Sequence, residues 1–513
     1  MLSSGGHPGC QLAGHWTAHW YTMPDRRPGR SPGVSGRTRR HGFAGLGSPL
    51  RLLSSFRRRW CSGGAPGLRP LWTRNGSCQL SPSHSSLTVV TTTVIFSSSR
   101  YTKDKKTKSV PVKEMFLLGK KITDKVTWVG KIDWELTEFH GHEYSTEKGS
   151  SYNSYLIRDQ KTVLMDTVWK PFDEEFVASL KREIDLKDID YIVMNHNEND
   201  HSGALPALMR EIPDTPIYCT KKGEAILRGL YHQDWNYVTV KTGDTLDLGS
   251  SQLVFIEAPM LHWPDTMFTY MTGENILFSN DGFGQHYASE TLFNDAVDQA
   301  ELYREAMKYY ANILNLYSPM VTRKIAEILK MDVPVSMICP SHGVIWREDP
   351  LQIVRAYQAW AQNYQENQVT LIYDTMWNST RRMAECIAEG IHQADPTVTV
   401  KIYNSAVDDK NDIVTEVFKS KAILVGSPTI NYGYLFSIGG IMEMIRGLKF
   451  KNKKAAAFGS YGWSGESVKQ ITELLQGAGF QVVNNGLRCQ WAPDQESQEL
   501  CRNYGREFAE AVK

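Results

Sequence analysis

With 513 residues, 41% of them hydrophobic, and a formal net charge of +1, the chain has room for about three domains and lacks the overall bias of a polyanion binder. The balance hides an asymmetry: the first hundred residues carry thirteen Arg, no Lys and one acid, Asp25, a net of +12, which leaves −11 on the remainder. The eight cysteines are scattered, with no C-x-x-C pair, which argues against a zinc ribbon, a rubredoxin-type iron site and a secreted disulfide scaffold.

The leading segment is rich in Ser, Gly, Pro and Arg, with runs such as Arg57-Arg58-Arg59 and no sustained period, so no packed domain is expected there. With the lysine-rich linker Lys103–Lys108 it makes a disordered extension over residues 1–120. Arg-rich, Ser-rich and acid-poor describes an organelle transit peptide; an unstructured extension, or upstream sequence outside the mature protein, are the alternatives. A transit peptide implies a mitochondrion or related organelle, its absence the cytoplasm. The apolar stretch Leu87–Phe96 is too short and too Thr-rich to span a bilayer. No membrane span and no nucleic-acid partner are expected.

Residues 121–365 mix strand-like runs, such as Ser154–Arg158 and Thr162–Asp166, with helical segments such as Glu174–Lys181, predicting an α/β sandwich with its helices outside. Ile189–Met194 reads as a buried strand. Just beyond it, His196-Asn197-Glu198-Asn199-Asp200-His201 packs four potential metal ligands into six residues. His196, Glu198 and Asp200 alternate and can face one pocket, and His201 opens a helix-like stretch. Without a cation, such groups beside a buried strand would repel or desolvate one another. His262, Asp281 and His342 each follow another apolar strand-like run. The seven side chains would give two metals a carboxylate-rich shell with one carboxylate free to bridge, and so much hard oxygen beside imidazole favours iron or manganese over zinc. Trp263 and Trp346, next to ligand segments, read as packing or as part of an electron route.

From residue 366 to 513 the pattern becomes regular. Predicted strands at Val369–Tyr373, Val398–Tyr403, Ala422–Ser427, Ala455–Gly459 and Gln481–Leu487 alternate with amphipathic helices, the pattern of a doubly wound parallel sheet that binds its ligand at the carboxyl ends of its strands. The loop Thr375-Met376-Trp377-Asn378-Ser379-Thr380 is rich in hydroxyls and leads into a helix whose amino end can hold a phosphate. It has neither a P-loop lysine nor G-x-G-x-x-G, so a single phosphate monoester fits better than ATP or a dinucleotide. The loops Pro428-Thr429-Ile430-Asn431-Tyr432-Gly433 and Ser460-Tyr461-Gly462-Trp463-Ser464-Gly465 add aromatic rings that can sandwich a flat heterocycle. One phosphate and one planar ring point to flavin mononucleotide (FMN).

A carboxylate-rich two-metal cluster followed by such a module resembles the flavodiiron protein family, in its flavorubredoxin branch that reduces nitric oxide; the likeness covers about residues 124–513. It rests on the His-x-Glu-x-Asp-His cluster and on the intervals to His262, Asp281 and His342. The resemblance implies a metallo-β-lactamase-like αββα domain before the flavodoxin-like one, and reduction of nitric oxide to nitrous oxide, dioxygen to water, or both. It places His196, Glu198 and His262 on one iron, Asp200, His201 and His342 on the other, and Asp281 as the bridge. His140 corresponds to a histidine close to the irons, and Tyr309 or Tyr310 to a tyrosine near the site. It also implies a head-to-tail homodimer or tetramer, and a rubredoxin-like or other external electron donor, since the sequence stops just after the flavodoxin-like helix. Two other readings remain: a zinc hydrolase of the β-lactamase fold with an appended flavin domain, and a non-catalytic flavin electron carrier.

Overall fold

The computed structural model describes residues 119–513. The extension expected over residues 1–120, with its transit-peptide reading, the Leu87–Phe96 stretch and the Lys103–Lys108 linker, lies outside the described residues but for Gly119 and Lys120. Among the described residues, no helix is long and apolar enough to cross a membrane.

Alternation along the strands builds the first half. In Tyr155–Arg158, Thr162–Met165 and Tyr191–Val193, the residues Leu156, Leu164 and Ile192 face one core, while Ile157, Val163, Met165 and Val193 face another. A strand buried on both faces must be covered on both. The outer face of this seven-stranded sheet carries the helices Asp173–Glu183, Leu205–Glu211 and Lys221–Tyr231. Its inner face meets a five-stranded sheet that runs from Thr245–Asp247 to Met337–Pro340, through Phe255, Met267, Met271, Ile276 and Phe278. The far side of the second sheet packs against Gln299–Tyr309, Ser318–Lys330 and Leu351–Trp360. The result is an αββα sandwich.

The second half is a parallel sheet in the order Thr399–Asn404, Glu366–Tyr373, Ser420–Gly426, Lys454–Tyr461, Gln481–Val482. The strand predicted over Gln481–Leu487 is two short ones, Gln481–Val482 and Leu487–Gln490, both beside Lys454–Tyr461. The break is local chemistry: Asn484 Oδ1 accepts from the Gly486 amide at 2.9 Å, and Gly486 sits at φ +80°, where a Cβ would lie 2.9 Å from the Ala457 carbonyl oxygen.

The halves are joined through polar and apolar contacts. Asn411 accepts from the Ser145 amide at 2.9 Å, donates to the Glu143 carbonyl at 3.1 Å, and exchanges bonds with Asn312. One apolar cluster continues from Tyr310, Tyr357 and Trp360 into Ile413, Val417 and Phe418 of the second half. Lys453, buried at this seam, donates to the carbonyls of Tyr364, Phe418 and Ser420.

Candidate functional site

The sandwich places its candidate metal ligands at strand ends. The six-residue cluster follows Tyr191–Val193, and its last members lie on the short helix Asn199–Ser202. Asp281 directly follows Ile276–Asn280, and His342 lies just past Met337–Pro340. His262 comes from the loop after Gln252–Glu257. All seven predicted metal-site residues meet in two groups: His196, Glu198, His262 and Asp281, then Asp200, His201 and His342.

Asp281 stands between the groups. Its Oδ2 lies 3.2 Å from Nε2 of His262 and 3.5 Å from Nε2 of His196, while its Oδ1 lies 3.0 Å from Nε2 of His201 and 3.6 Å from Nε2 of His342. Asp200 Oδ2 is 3.0 Å from both His201 and His342, and Glu198 Oε2 is 3.4 Å from both His196 and His262. Short distances do not make hydrogen bonds here. Nε2 of His196, Nε2 of His201 and Oδ1 of Asp281 are buried with no correctly directed partner. Buried polar atoms without partners are costly; atoms that converge on a common point without bonding one another suit a shared cation, and the oxygen-rich donor set fits iron.

Charge tells the same story. Burial, the largest influence on His196, opposes its protonation, yet Asp265, Glu198 and Asp281 outweigh it and raise the imidazole to about 10. Burial likewise opposes ionisation of Asp281, and His201, His262 and His196 overcome it and hold the carboxyl well below the usual range. In the metal-free protein, protons therefore take the cation's place, and metal uptake must release them. Because the folded value for His196 lies above its ordinary 6.5, its contribution to stability is complete below that pH and is lost as pH rises through about 10. Metal-stripped protein should therefore show a melting temperature that falls from pH 7 to 10, with a much smaller fall in metal-loaded protein; scanning calorimetry of both forms checks this.

Around the ligands, the protein sets ring orientation. The Ser151 carbonyl accepts from Nδ1 of His342 at 2.8 Å, which leaves Nε2 toward the cluster. Asp265, gripped by the Asn197 amide and side chain at 2.9 and 2.8 Å, lies 3.4 Å from Nδ1 of His196. Such outer partners tune ligand basicity. Asp265 was missed from sequence; its signal was an acid three residues past a ligand. His286, also missed, is fully buried, its ring 4.8 Å from that of His342 and its Nδ1 2.8 Å from Ser150 Oγ.

His140 reaches the cluster, its Nε2 3.0 Å from Glu198 Oε1. Tyr309 packs 6.4 Å from the His342 ring. Tyr310 turns away: its ring lies among Tyr357, Trp360 and Phe418, and its hydroxyl pairs with Ser318 Oγ at 2.9 Å. The helix widens into a π-turn over Tyr310–Leu314. Trp346 is a core residue whose indole donates to the Phe283 carbonyl at 2.9 Å, whereas Trp263 lies edge-on to His196 at 5.2 Å.

In the second half, a cavity of about 650 Å³ opens at the carboxyl ends of the strands. Thr375, Met376, Trp377 and Ser379 line it from the first predicted loop, Pro428, Thr429, Ile430, Asn431 and Tyr432 from the second, and Ser460, Tyr461, Gly462, Trp463 and Ser464 from the third. Four predicted residues stand behind the wall. Asn378 takes the left-handed position before the helix Ser379–Ala394, and Thr380 is buried on Ser460 Oγ at 2.9 Å. Gly433 closes a tight turn onto Ile430, and Gly465 packs against Tyr461. Trp491 and Ala492 complete the wall from a fourth loop that sequence reading missed, because the broken last strand hid it. No lining side chain is charged; hydroxyls and amides at a helix amino end suit one phosphate, and the five lining aromatics, Trp377, Tyr432, Tyr461, Trp463 and Trp491, suit a flat heterocycle, so the cavity fits FMN.

Comparisons with known proteins agree with this division. The family described as ODP family beta lactamase matches residues 151–343, and the Flavodoxin family matches residues 371–505. The chain is 56% identical over 390 residues to the anaerobic nitric oxide reductase flavorubredoxin of Escherichia coli O1:K1, covering 76% of this chain and 81% of that protein. Among solved structures it is similar to the rubredoxin oxygen:oxidoreductase of Desulfovibrio gigas, with 37% identity, a TM-score of 0.74, and coverage of 77% and 98% of the two chains. The flavodiiron protein of Giardia intestinalis superposes with 34% identity and a TM-score of 0.73 over 77% of this chain and 96% of that one. Fold, ligand set, flavin cavity and these relatives together show that the chain belongs to the flavodiiron protein family, on its flavorubredoxin branch.

Proposed function

We propose that this protein reduces nitric oxide to nitrous oxide, and dioxygen to water, at a pair of irons supplied with electrons by FMN. The observation that carries the reading is Asp281, with one carboxylate oxygen toward each half of the ligand set. His196, Glu198 and His262 would hold one iron, and Asp200, His201 and His342 the other, within residues 121–365; the cavity in residues 366–513 would hold the flavin. When bound, the two irons supply paired electrons and Lewis acidity to a small diatomic, and FMN restores those electrons singly or in pairs.

The chain's own residues do the rest. Glu198, where zinc hydrolases of this fold commonly have histidine, adds negative charge that favours an oxidisable metal. His140, in contact with that carboxylate, fixes its direction and can hold a proton at Nε2. Its pKa is raised: burial alone would lower it, and Glu198, Asp200 and Asp281 outweigh the burial. Phe139, Tyr144 and Tyr309 wall the His342 side and keep bulk water from it. Nitric oxide is the favoured substrate, since that activity is named in the relative at 56% identity and the oxygen reductase stands at 37%.

The flavin cavity is rimmed by Trp377, Tyr432, Trp463 and Trp491, all strongly exposed. An apolar rim of this kind marks a docking surface. We assign it to a second copy of the chain in head-to-tail contact, with a rubredoxin-like protein as external donor.

The test is gas consumption by the chain reconstituted without air with ferrous salt and FMN, using chemically reduced rubredoxin as donor. Rapid loss of nitric oxide with release of nitrous oxide, at about two irons per chain by metal analysis, is expected from the two ligand groups. Tight zinc with no gas consumption would overturn the reading in favour of a hydrolase; a bound flavin that cycles without consuming gas would favour a carrier.

A further inference from the structure

Of the seven candidate ligands, Glu198 and His262 have the most exposed side chains, 16% and 12%. His140 stands over this open edge, its Nε2 3.0 Å from Glu198 Oε1 and its ring 6.3 Å from that of His262. What keeps it there is not local. His140 sits at φ +55°, a conformation that a residue other than glycine holds only where its surroundings impose it. It follows the strand Glu138–Phe139, which pairs with Tyr144–Ser145 and, among the described residues, with no other strand. So short a hairpin does not hold its own shape in water.

Two sets of contacts fix the hairpin. On its inner side Phe139 and Tyr144 are buried, and the Phe139 ring lies 5.6 Å from that of His342. On another side three consecutive residues of the second half grip it: Asp409, Lys410 and Asn411, at the amino end of the helix Lys410–Lys419. Ser145 Oγ donates to Asp409 Oδ1 at 2.8 Å, and Lys410 Nζ donates to the His142 carbonyl. The Ser145 amide donates to Asn411 Oδ1 at 2.9 Å, while Asn411 Nδ2 donates to the Glu143 carbonyl at 3.1 Å and to Asn312 Oδ1 at 3.0 Å.

The grip is itself rigid. Asn411 is 1% exposed with both ends of its amide engaged, and Asp409 Oδ1 also caps its own helix, accepting from the Asn411 and Asp412 amides at 3.0 and 2.9 Å. Joining the halves does not by itself require this arrangement. Asn315 Nδ2, for one, donates to the Leu448 carbonyl at 2.8 Å across the same seam without touching the hairpin.

Resting on the gas-reductase reading above, we propose that the flavin half is a working part of the metal site: Asn411, with Asp409 and Lys410, is the positioning residue that holds the hairpin Glu138–Ser145 over the cluster and so keeps His140 on Glu198. The open edge stays covered and the Glu198 carboxylate keeps its direction. Asn411 touches neither a candidate ligand nor a substrate, so its effect passes through His140.

The test compares wild type, Asn411→Ala, Ser145→Ala, Ser145→Thr, His140→Ala and the double variant of His140→Ala with Asn411→Ala, as full chains loaded with iron and FMN; Asn315→Ala is the seam control. Hydrogen exchange of the amides of residues 138–145 and nitric oxide consumption are read on each. Asn411→Ala should speed that exchange and cut turnover about fivefold or more, the worth of about one hydrogen bond, at unchanged iron and flavin content. Ser145→Ala should do the same to a smaller extent, Ser145→Thr, which keeps the hydroxyl, should restore both readouts, and Asn315→Ala should alter neither. Residues that act as a unit are not additive, so Asn411→Ala should cost nothing further once His140 is Ala. Unchanged exchange in Asn411→Ala overturns the proposal, as do rate losses that multiply in the double variant or an Asn315→Ala enzyme as slow as Asn411→Ala. Should Asn411→Ala fail to fold, wild-type exchange and turnover in Ser145→Ala overturn it instead. A wild-type protein that consumes neither gas overturns the reductase reading, and the exchange data then still decide whether Asn411 holds the hairpin.

Discussion

Asp281→Asn should reduce nitric oxide turnover by at least about 100-fold, beyond the 10–100-fold that loss of an outer partner costs a metal site. The wild-type carboxylate offers an oxygen to each half of the ligand set, Oδ1 toward His201 and His342 and Oδ2 toward His196 and His262. Asn keeps one acceptor and puts an NH₂ donor where the other stood. It also removes the negative charge that the surrounding imidazoles stabilise. Binding of two metals should drop toward one per chain, while FMN content stays at the wild-type level because the flavin cavity draws none of its lining from this half. Metal analysis, flavin absorbance and gas consumption on one preparation check all three points. A variant with two irons and full turnover would remove Asp281 from the bridge.

Gly343→Ala should be the most damaging single methyl in the metal half. Gly343 has φ +74°, and a Cβ there would lie 1.5 Å from Gln285 Oε1 and 2.3 Å from the Gln285 carbonyl oxygen. Gln285 cannot simply withdraw: it is fully buried and its Oε1 accepts from the Val344 amide at 2.7 Å. The Gly343 amide also donates to Ser151 Oγ at 2.8 Å, and its carbonyl accepts from Asn153 at 3.0 Å. The loop that carries His342 must therefore move, and a loss of about 4 kcal/mol or more is expected. Gly141 supplies the control. It has φ +69° with nothing within 4 Å of a Cβ, so Gly141→Ala should cost only about 1 kcal/mol of backbone strain. Urea unfolding of both variants separates the steric effect from the conformational one; equal losses would show that the crowding at Gly343 is relieved by relaxation.

The site was legible wherever its chemistry is dense or sits at the end of a strand. Four candidate ligands in six residues after a buried run admit few structural explanations, and Asp281 and His342 were visible because a strand aims whatever follows it. Asp265 and His286 were not visible, because neither forms a pattern: a lone acid after Pro264 and a lone histidine after Gln285 acquire meaning only when folding sets them against His196 and His342. Tyr309 and Tyr310 could not be separated, since neighbours on a helix point about 100° apart and only the tertiary packing decides which face is inward. The flavin cavity followed the same rule. Three loops were read from their aromatic and hydroxyl content, but Asn484 and Gly486 interrupt the last strand, so the loop bearing Trp491 did not announce itself. The extent of the fold was clearer than its edges, because apolar alternation marks where a strand must be and says little about where hydrogen bonding stops.

The continuous apolar seam around Tyr310, Tyr357 and Phe418 makes the two halves a single rigid ruler rather than two bodies on a tether. Neither can rock toward the other without opening oil to water. Whatever gap separates the flavin cavity from the metal cluster within one molecule is therefore set at folding, and in the head-to-tail pair proposed above the shorter electron path would come from pressing a second molecule against it.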